Sequence, residues 1–457
     1  MTRRFAESTL ARLSDCVARE MGLLFTRERW NDLERGIVAA APHLGCGDAA
    51  ECARRLMSAP LSRSQVEILA GYLTVGESYF LRDPASYRVA ESVILPELIA
   101  ARRGGDQRIR VWSAGCSTGE EAYSLAILLQ RLLPDLEGWR VTVLATDINN
   151  AALSQALAGV YGKWSFRGTP PWFKSLYFSD AGEGRYRISE KIRRMVSFGY
   201  LNLAEDSYPS LFTNTTAMDL IFCRNVLMYF TRDMARTVVH KLNRSLVEGG
   251  FLVVGPVESW PECYQPLQAI SFDGVTCYRK PAEGVAPAQP AETAGSERGA
   301  VEETGVKVEE RGELAALIRS HANRGQLSEA MKLCREALRS HKLDASLHHL
   351  EAEILQEQGL FEEARVSLER ALFLDPKLVL AHFAQGNLAL GGGDRDKARK
   401  HLQNALELLQ EFAPEEIVPG SEGMSAGRLS EIIRQITSLK DPSPAREGRD
   451  GERWRKR

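Results

Sequence analysis

Apolar residues recur at helical spacing near the start of the chain. One such stretch places them at Phe5, Leu10, Leu13, Val17 and Met21. A second stretch, over residues 66–73, repeats the pattern. Spacings of three and four residues are typical of helices that bury one face. We therefore predict a small all-helical domain over residues 1–80.

The pattern changes over residues 81–280, where short apolar runs alternate with helical segments. The runs are RIRVWSA, RVTVLATD, AMDLIFC, FLVVG and GVTCYRK. Strands separated by helices imply βαβ units, and so an α/β fold with a mostly parallel sheet. Residues 182–203 (GEGRYRISEKIRRMVSFGYLNL) break the alternation, and we predict a hairpin-like excursion there.

Residues 281–310 are rich in Ala, Pro, Glu and Gly and hold almost no large apolar residue. Such a segment cannot bury enough surface to offset the entropy lost on ordering, so we predict a flexible linker. The tail at residues 441–457 is equally polar, and we predict that it is disordered.

A repeat of 34 residues follows the linker. Four registers show it: Ala330, Ala364 and Ala398; Ala337, Ala371 and Ala405; Leu338, Leu372 and Leu406; and Gly325, Gly359 and Gly393. This is the period of the tetratricopeptide repeat (TPR), a pair of helices. Pro376 ends only the second copy, and divergence of the outer copies is expected where they cap a stack. We predict a TPR array over residues 311–440.

Composition limits the classes of partner and compartment. The formal net charge of −2 gives no whole-chain reason to expect nucleic-acid binding. The eight cysteines include no CxxC pair and no metal-type spacing with histidine, so they are typical of reduced thiols. The start lacks an apolar signal region, and no window approaches 18 apolar residues. We expect a cytoplasmic protein without a metal or a membrane span.

The stretch VWSAGCSTGEEAYSLA, residues 111–126, carries the first candidate chemistry. A small-residue turn between a strand and a helix brings backbone close to a ligand at the carboxyl edge of a sheet. Phosphate loops place a lysine at the helix start, but here Glu120 and Glu121 stand there and would attract a cation. S-adenosylmethionine carries an ammonium and a sulfonium and no phosphate. Alternatively, the two acids only favour the helix N-terminus.

Other polar residues follow strands at the same edge. Asp147 ends VTVLATD, where it could accept hydrogen bonds from ribose hydroxyls or cap the next helix. Arg224 and Asn225 follow a buried strand, and Asn202 follows an extended run, where its amide could recognise an adenine edge. In GESYFLRDP, Arg82 either pairs with a nearby acid or faces the cofactor and holds a carboxylate.

Five separated motifs make the chain resemble a known family. GESYFLRD, WSAGCSTGEEAYS, LATDIN, LNL and FCRNVLMYF follow the order and approximate spacing of CheR-type chemoreceptor glutamate O-methyltransferases. The resemblance implies a class I (Rossmann-like) methyltransferase sheet, a small antiparallel β-subdomain at about residues 182–200, and S-adenosyl-L-methionine as donor. The cofactor-site residues it implies are Ser78, Arg82, Ala114, Glu120, Asp147, Asn202, Leu203, Arg224 and Asn225. Gly76 and Ser78 depart from the asparagine and threonine common in the family.

The resemblance also implies a reaction, transfer of a methyl group to glutamate side chains of a chemoreceptor cytoplasmic domain. Glutamate has a pKa of about 4.3 and is ionised at neutral pH, so no general base is required. We expect Arg82 to steer the carboxylate and Tyr229 to shape the methyl-transfer pocket. The family's β-subdomain can dock a receptor-tail peptide, and the TPR groove could hold a signalling-protein partner. The alternatives are a class I methyltransferase with another substrate and a non-catalytic TPR scaffold.

Overall fold

The computed structural model describes residues 4–210, 213–258, 260–272, 275–281, 306–323, 326–421 and 424–438. They divide between two compact units, the second of which includes residues 327–438. Most of the predicted linker and all of the predicted tail lie outside the described residues. The predicted C-terminal limit of the linker, residue 310, is wrong, because residues 306–310 already belong to the helix Val306–Asn323.

The helices are α1 (Glu7–Met21), α2 (Trp30–Ala40), α3 (Ala49–Leu56), α4 (Arg63–Leu73), α5 (Pro84–Val89), α6 (Leu95–Arg102), α7 (Glu120–Leu132), α8 (Asn150–Ala158), α9 (Pro171–Tyr177), α10 (Glu190–Arg193), α11 (Arg232–Ser245), α12 (Val306–Asn323), α13 (Leu327–Ser340), α14 (Ala345–Glu357), α15 (Phe361–Leu374), α16 (Val379–Gly391), α17 (Arg395–Leu409) and α18 (Ala426–Ser438). The strands are β1 (Arg108–Ala114), β2 (Arg140–Asp147), β3 (Val160–Gly162), β4 (Phe178–Asp180), β5 (Arg185–Ile188), β6 (Val196–Tyr200), β7 (Met218–Cys223), β8 (Leu246–Val254), β9 (Gln268–Phe272) and β10 (Val275–Arg279).

The first unit begins with the predicted helical domain. Helices α1 to α4 bury the apolar positions that the periodicity indicated, among them Leu10, Leu13 and Met21. Helix α4 begins with a capping box, in which Ser62 and Gln65 each bond to the backbone of the other. The all-helical prediction for this region is confirmed.

A seven-stranded sheet follows, in the order β6-β2-β1-β7-β8-β10-β9. The five strands from β6 to β8 run parallel, and β10 and β9 add antiparallel pairs. Successive strand residues face opposite sides, so Val111 and Trp112 pack into two different cores. Burial on both faces explains the almost continuous apolar runs in the sequence. The predicted α/β class I methyltransferase sheet is confirmed.

The β-subdomain is real, but its predicted limits are wrong. Three short antiparallel strands form it in the order β3-β5-β4, so it begins near residue 160 rather than 182. Strand β6, which the prediction placed within the subdomain, instead pairs parallel with β2 in the main sheet. Its sequence, VSFGY, shows too little periodicity to distinguish a subdomain strand from a sheet edge.

The second unit contains the predicted repeat helices. The turns between α14 and α15 and between α16 and α17 contain Gly359 (φ 72°) and Gly393 (φ 84°), a backbone region that favours glycine. The alanines of the repeat are buried on α13, α15 and α17, where a larger side chain would separate the helices. Helix α18 packs on α17. Along the described chain, no helix has the length and apolar content needed to cross a membrane.

Candidate cofactor cleft

A cleft opens in the first unit at the carboxyl ends of β1, β2 and β7. It encloses about 1250 Å³ of space free of protein atoms, counted out to its open side. Residues 21–29 of the helical domain form one wall and residues 73–82 form another. The cleft therefore lies where open α/β sheets usually hold ligands, with the helical domain covering one side.

Most of the residues implied by the family resemblance meet at this cleft. The lining includes Ser78, Arg82, Asp147, Asn202, Leu203, Arg224, Asn225 and Tyr229. Their roles toward a ligand stay predictions, but the structure brings these eight side chains to one place from distant parts of the sequence.

Ala114 and Glu120 do not line the cleft. Ala114 is fully buried at the end of β1. The Glu120 carboxylate accepts hydrogen bonds from Thr118 Oγ1 (2.6 Å) and Ser165 Oγ (3.1 Å) and is almost fully buried. The carboxylate that faces the cleft is Glu121, because successive helix residues point about 100° apart. Glu121 rather than Glu120 therefore lines the cleft, and a role of Glu120 toward the cofactor stays a prediction.

The turn after β1 requires glycine because of its backbone conformation and because of its close packing. Gly115 (φ 86°) and Gly119 (φ 91°) both adopt left-handed backbone conformations. A Cβ atom added at Gly115 would lie 2.4 Å from Val226 Cγ2, a clash that neither residue could relieve easily. The turn is tied to the second strand because the Ser117 N–H donates to Asp147 Oδ2 at 2.8 Å.

Asp147 is placed to accept further hydrogen bonds. Each carboxylate oxygen accepts one backbone N–H at 2.8 Å, from Ser117 and from Asn149. A carboxylate has about four acceptor positions, so two vicinal hydroxyls can still be accommodated. Asn149 caps α8 by accepting from Ala151 and Ala152, which removes the alternative that Asp147 is the cap. Burial raises the pKa of Asp147.

Arg224 lies beneath the cleft floor with a side chain only 2% exposed. Its guanidinium donates to Glu121 Oε2 (3.3 Å), to Asp83 Oδ2 (3.2 Å) and to the Arg82 carbonyl (2.7 Å). Burial raises the pKa of Glu121, although the charge of Arg224 opposes the shift. This cation thus holds the loop at residues 82–83 against the start of α7.

Arg82 is half-buried at the mouth of the cleft. Its Nη1 donates to the Glu77 carbonyl at 2.7 Å, and its guanidinium lies 5.8 Å from the centre of the Tyr79 ring. The neighbouring acid, Asp83, pairs with Arg224, so among the described residues it does not supply the nearby acid that Arg82 was expected to pair with as one alternative. The Arg82 guanidinium therefore keeps donor capacity toward the cleft, since it has five N–H groups.

Asn202 lines the cleft, but its amide is engaged by protein. Its Nδ2 donates to the Glu20 carbonyl (2.8 Å) and to Glu205 Oε1 (3.3 Å), and its Oδ1 accepts from Ala204 (3.1 Å). Asn202 thus joins the helical domain to the sheet. Its Oδ1 has a second acceptor position, so recognition of an adenine edge stays a prediction.

Tyr229 lies where the helical domain meets the sheet. Its carbonyl accepts from the Leu24 N–H at 2.6 Å, and the Arg29 guanidinium lies 5.3 Å from the centre of its ring. The ring and Arg29 both line the cleft, so residues from the two domains form this wall together.

Glu258 is a buried residue that the sequence analysis missed. Its carboxylate has no exposed surface and accepts four backbone N–H groups, from Asn225 (2.8 Å), Val226 (2.7 Å), Met228 (3.1 Å) and Gly255 (2.8 Å). It thereby fixes the loop after β7 that lines the cleft. The signal was present, because Glu258 closely follows the core strand FLVV just as Asp147 ends its own strand.

These residues fit S-adenosylmethionine. The carboxylates of Glu121 and Asp147 face the cleft, and glutamates stand at the start of α7, where a phosphate loop places its lysine. Ser117 Oγ is buried beside the cleft without a hydrogen-bond partner among the described residues. Buried hydroxyls usually find a partner, so this atom is suited to a ligand contact.

Comparison with known proteins agrees with this geometry. The model of the CheR methyltransferase SAM-binding domain matches residues 76–274. Chemotaxis protein methyltransferase 1 of Pseudomonas aeruginosa is 37% identical over 210 residues, which cover 44% of this chain and 74% of that protein. The probable biofilm formation methyltransferase WspC of Pseudomonas aeruginosa is 29% identical over 403 residues, which cover 82% of this chain and 92% of that protein. Among solved structures, PcrH from Pseudomonas aeruginosa covers 29% of this chain and 96% of its own, at 22% identity and a TM-score of 0.25. The chain belongs to the CheR family of S-adenosylmethionine-dependent methyltransferases.

Proposed function

We propose that this enzyme methylates glutamate side chains in the cytoplasmic domain of a chemoreceptor, forming γ-methyl esters. The observation that carries the proposal is the pairing of an acidic cleft floor with a cationic mouth. Glu121 and Asp147 favour a cationic cofactor inside, while Arg82 at the mouth favours an anionic acceptor. A glutamate side chain is such an acceptor.

Bound S-adenosylmethionine supplies an electrophilic methyl group. The residues of this chain bind, orient and exclude water. Asp147 accepts hydroxyl hydrogen bonds, and Glu121 balances positive charge. Arg82 directs the incoming carboxylate, and Tyr229 limits the space around the transferred group. Holding the reacting atoms in line contributes several kcal/mol to the lowered barrier.

The chemotaxis protein methyltransferases among the relatives support a role in chemotaxis-like signalling. WspC is described as a probable biofilm formation methyltransferase, and its match includes both units of the present chain. We therefore place the present enzyme in the cytoplasm, acting on the receptor of such a pathway. The TPR array would bind a protein partner and so raise its local concentration near the catalytic unit.

The reaction can be tested with S-adenosylmethionine labelled in its methyl group and purified receptor cytoplasmic fragments. Base-labile label on the receptor identifies a carboxyl ester, whereas label on a nucleic acid or a small molecule would contradict the proposal. Arg82→Ala should bind the cofactor but transfer methyl groups at least about tenfold more slowly. Arg88→Ala, which removes an exposed arginine from α5, is the matched control and should retain the wild-type rate. Wild-type transfer by Arg82→Ala would show that Arg82 does not direct the acceptor.

A further inference from the structure

A second arginine lies beside the cleft, where it contacts two of the lining residues, Glu77 and Tyr79, and stacks between two aromatic rings. The guanidinium of Arg167 is 3.8 Å from the centre of the Tyr79 ring and 4.5 Å from that of Trp164. It also pairs with Glu77, with 2.7 Å between Nη2 and Oε1. Trp164 is 72% exposed, unusually open for a tryptophan.

The cluster of Arg167, Trp164 and Tyr79 is connected by a backbone hydrogen bond to a loop that lines the cleft. Trp164 belongs to a short 3₁₀ turn, Lys163–Phe166, on the β-subdomain. The Phe80 N–H donates to the Ser165 carbonyl at 2.9 Å and so ties that turn to the loop carrying Tyr79 and Arg82. Both the Arg82 and the Arg167 guanidinium lie near the ring of Tyr79, a lining residue, so two cations stand close to the same part of the cleft wall.

We propose that Trp164, Arg167 and Tyr79 form a docking surface for an acidic stretch of the protein substrate beside the glutamate that is methylated. The inference rests on the proposed function and names the residues that select its substrate. Arg167 binds a substrate carboxylate through its planar fork, and the exposed Trp164 ring packs against neighbouring apolar side chains.

The carboxylate that already pairs with Arg167, that of Glu77, can readily be replaced by another carboxylate. Glu77 is 60% exposed, and ion pairs at such exposed positions contribute little to stability. A substrate carboxylate can therefore replace Glu77 at little cost. The aromatic rings hold the guanidinium in place before substrate arrives, which lowers the entropy lost on binding.

The chain contains a matched control away from the entrance. Arg131 lies 4.3 Å from the centre of the Trp172 ring and 3.3 Å from Glu91, so it has the same kinds of neighbour. It stands near the end of α7, about 15 Å along the helix from Glu121. Arg131→Gln removes a stacked, paired arginine without altering the proposed docking surface.

The experiment measures methyl transfer to a receptor cytoplasmic fragment that the wild-type enzyme methylates. Arg167→Gln should raise the KM for the fragment about tenfold, with kcat and the cofactor Kd within about twofold. Arg131→Gln should leave all three unchanged. Glu77→Gln should lower the KM for the fragment, because it removes the competing carboxylate. Poly-L-glutamate should inhibit the wild-type enzyme competitively and Arg167→Gln more weakly.

Several results would overturn the inference. An unchanged fragment KM in Arg167→Gln would do so, as would an equal loss in Arg131→Gln. Inhibition by a single-stranded oligonucleotide but not by poly-L-glutamate would assign the surface to nucleic acid instead. If Arg167→Gln melts at a lower temperature, Arg167→Lys provides the second variant and should give an intermediate KM. Absence of methylation by the wild-type enzyme would instead contradict the proposed function itself.

Discussion

Replacing Glu258 with glutamine should release the loop that forms the cleft floor. The substitution preserves size and shape and exchanges one acceptor oxygen for an NH₂ group. Oε1 accepts from Val226 and Met228, and Oε2 accepts from Asn225 and Gly255. Whichever oxygen is exchanged, two backbone N–H groups lose their acceptor and face a donor.

The size of the effect follows from that count. A buried N–H without an acceptor costs about 1–3 kcal/mol, so two of them cost about 2–6 kcal/mol. If the whole cost fell on the folded state, about 3 kcal/mol would lower the Tm of a unit of roughly 300 residues by about 4–5 °C, since its unfolding entropy is about 2.1 cal/mol/K per residue. If the loop opened instead, the Tm would change less and the cost would appear in cofactor affinity, at about tenfold for each 1.4 kcal/mol.

Calorimetric titration with S-adenosylmethionine and a thermal melt of the full chain separate the two responses. We expect Glu258→Gln to weaken the cofactor Kd at least about tenfold or to lower the Tm by several degrees. Glu262→Gln, at an exposed glutamate in the next turn, is the control and should do neither. Wild-type affinity together with a wild-type Tm in Glu258→Gln would refute the role given to this carboxylate.

Three further predictions concern the cofactor and the repeats. Burial raises the pKa of Asp147, so its contribution to apoprotein stability is present at low pH and lost as the pH rises through the folded-state pKa. Cofactor hydroxyls bond to the ionised form, so affinity measured by calorimetry should rise over the same range, and a flat profile would count against this contact. Lys241→Met removes an ammonium bonded to the carbonyls of Leu203 (3.0 Å) and Glu205 (2.7 Å), and should cost about 1–3 kcal/mol in a thermal melt; an unchanged Tm would contradict this. Deleting residues 311–457 should leave cofactor affinity intact and reduce partner co-localisation in cells, and unchanged localisation would argue against a TPR partner.

The sequence predicted the sheet and the place of the cleft because both follow from periodicity. Polar residues after parallel strands meet at one edge, which is why Asp147 and Arg224 could be assigned to the same cleft. The choice between Glu120 and Glu121 could not be made in this way. Both begin the same helix, and only the rotation set by the packed helix decides which carboxylate faces the cleft.

Three other features depend on long-range contacts that one sequence does not display. The amide of Asn202 is engaged by Glu20, a residue from the first helix, so its position beside the cleft did not reveal its partner. Residues 21–29 line the cleft, although the periodicity of that region indicated only which helix faces are buried. Strand β6 joined the main sheet through the same kind of distant pairing.

The junction of the helical domain with the sheet limits which parts of this enzyme can be exchanged for those of a relative. Two hydrogen bonds to backbone carbonyls join the two domains at the cleft wall: the Leu24 N–H donates to Tyr229, and the Asn202 side-chain amide donates to Glu20. A chimera that takes the helical domain from a relative would therefore inherit a different pocket lining along with it. Successful grafts will need to transplant residues 20–30 together with their contacts near 202 and 229, as one inseparable piece.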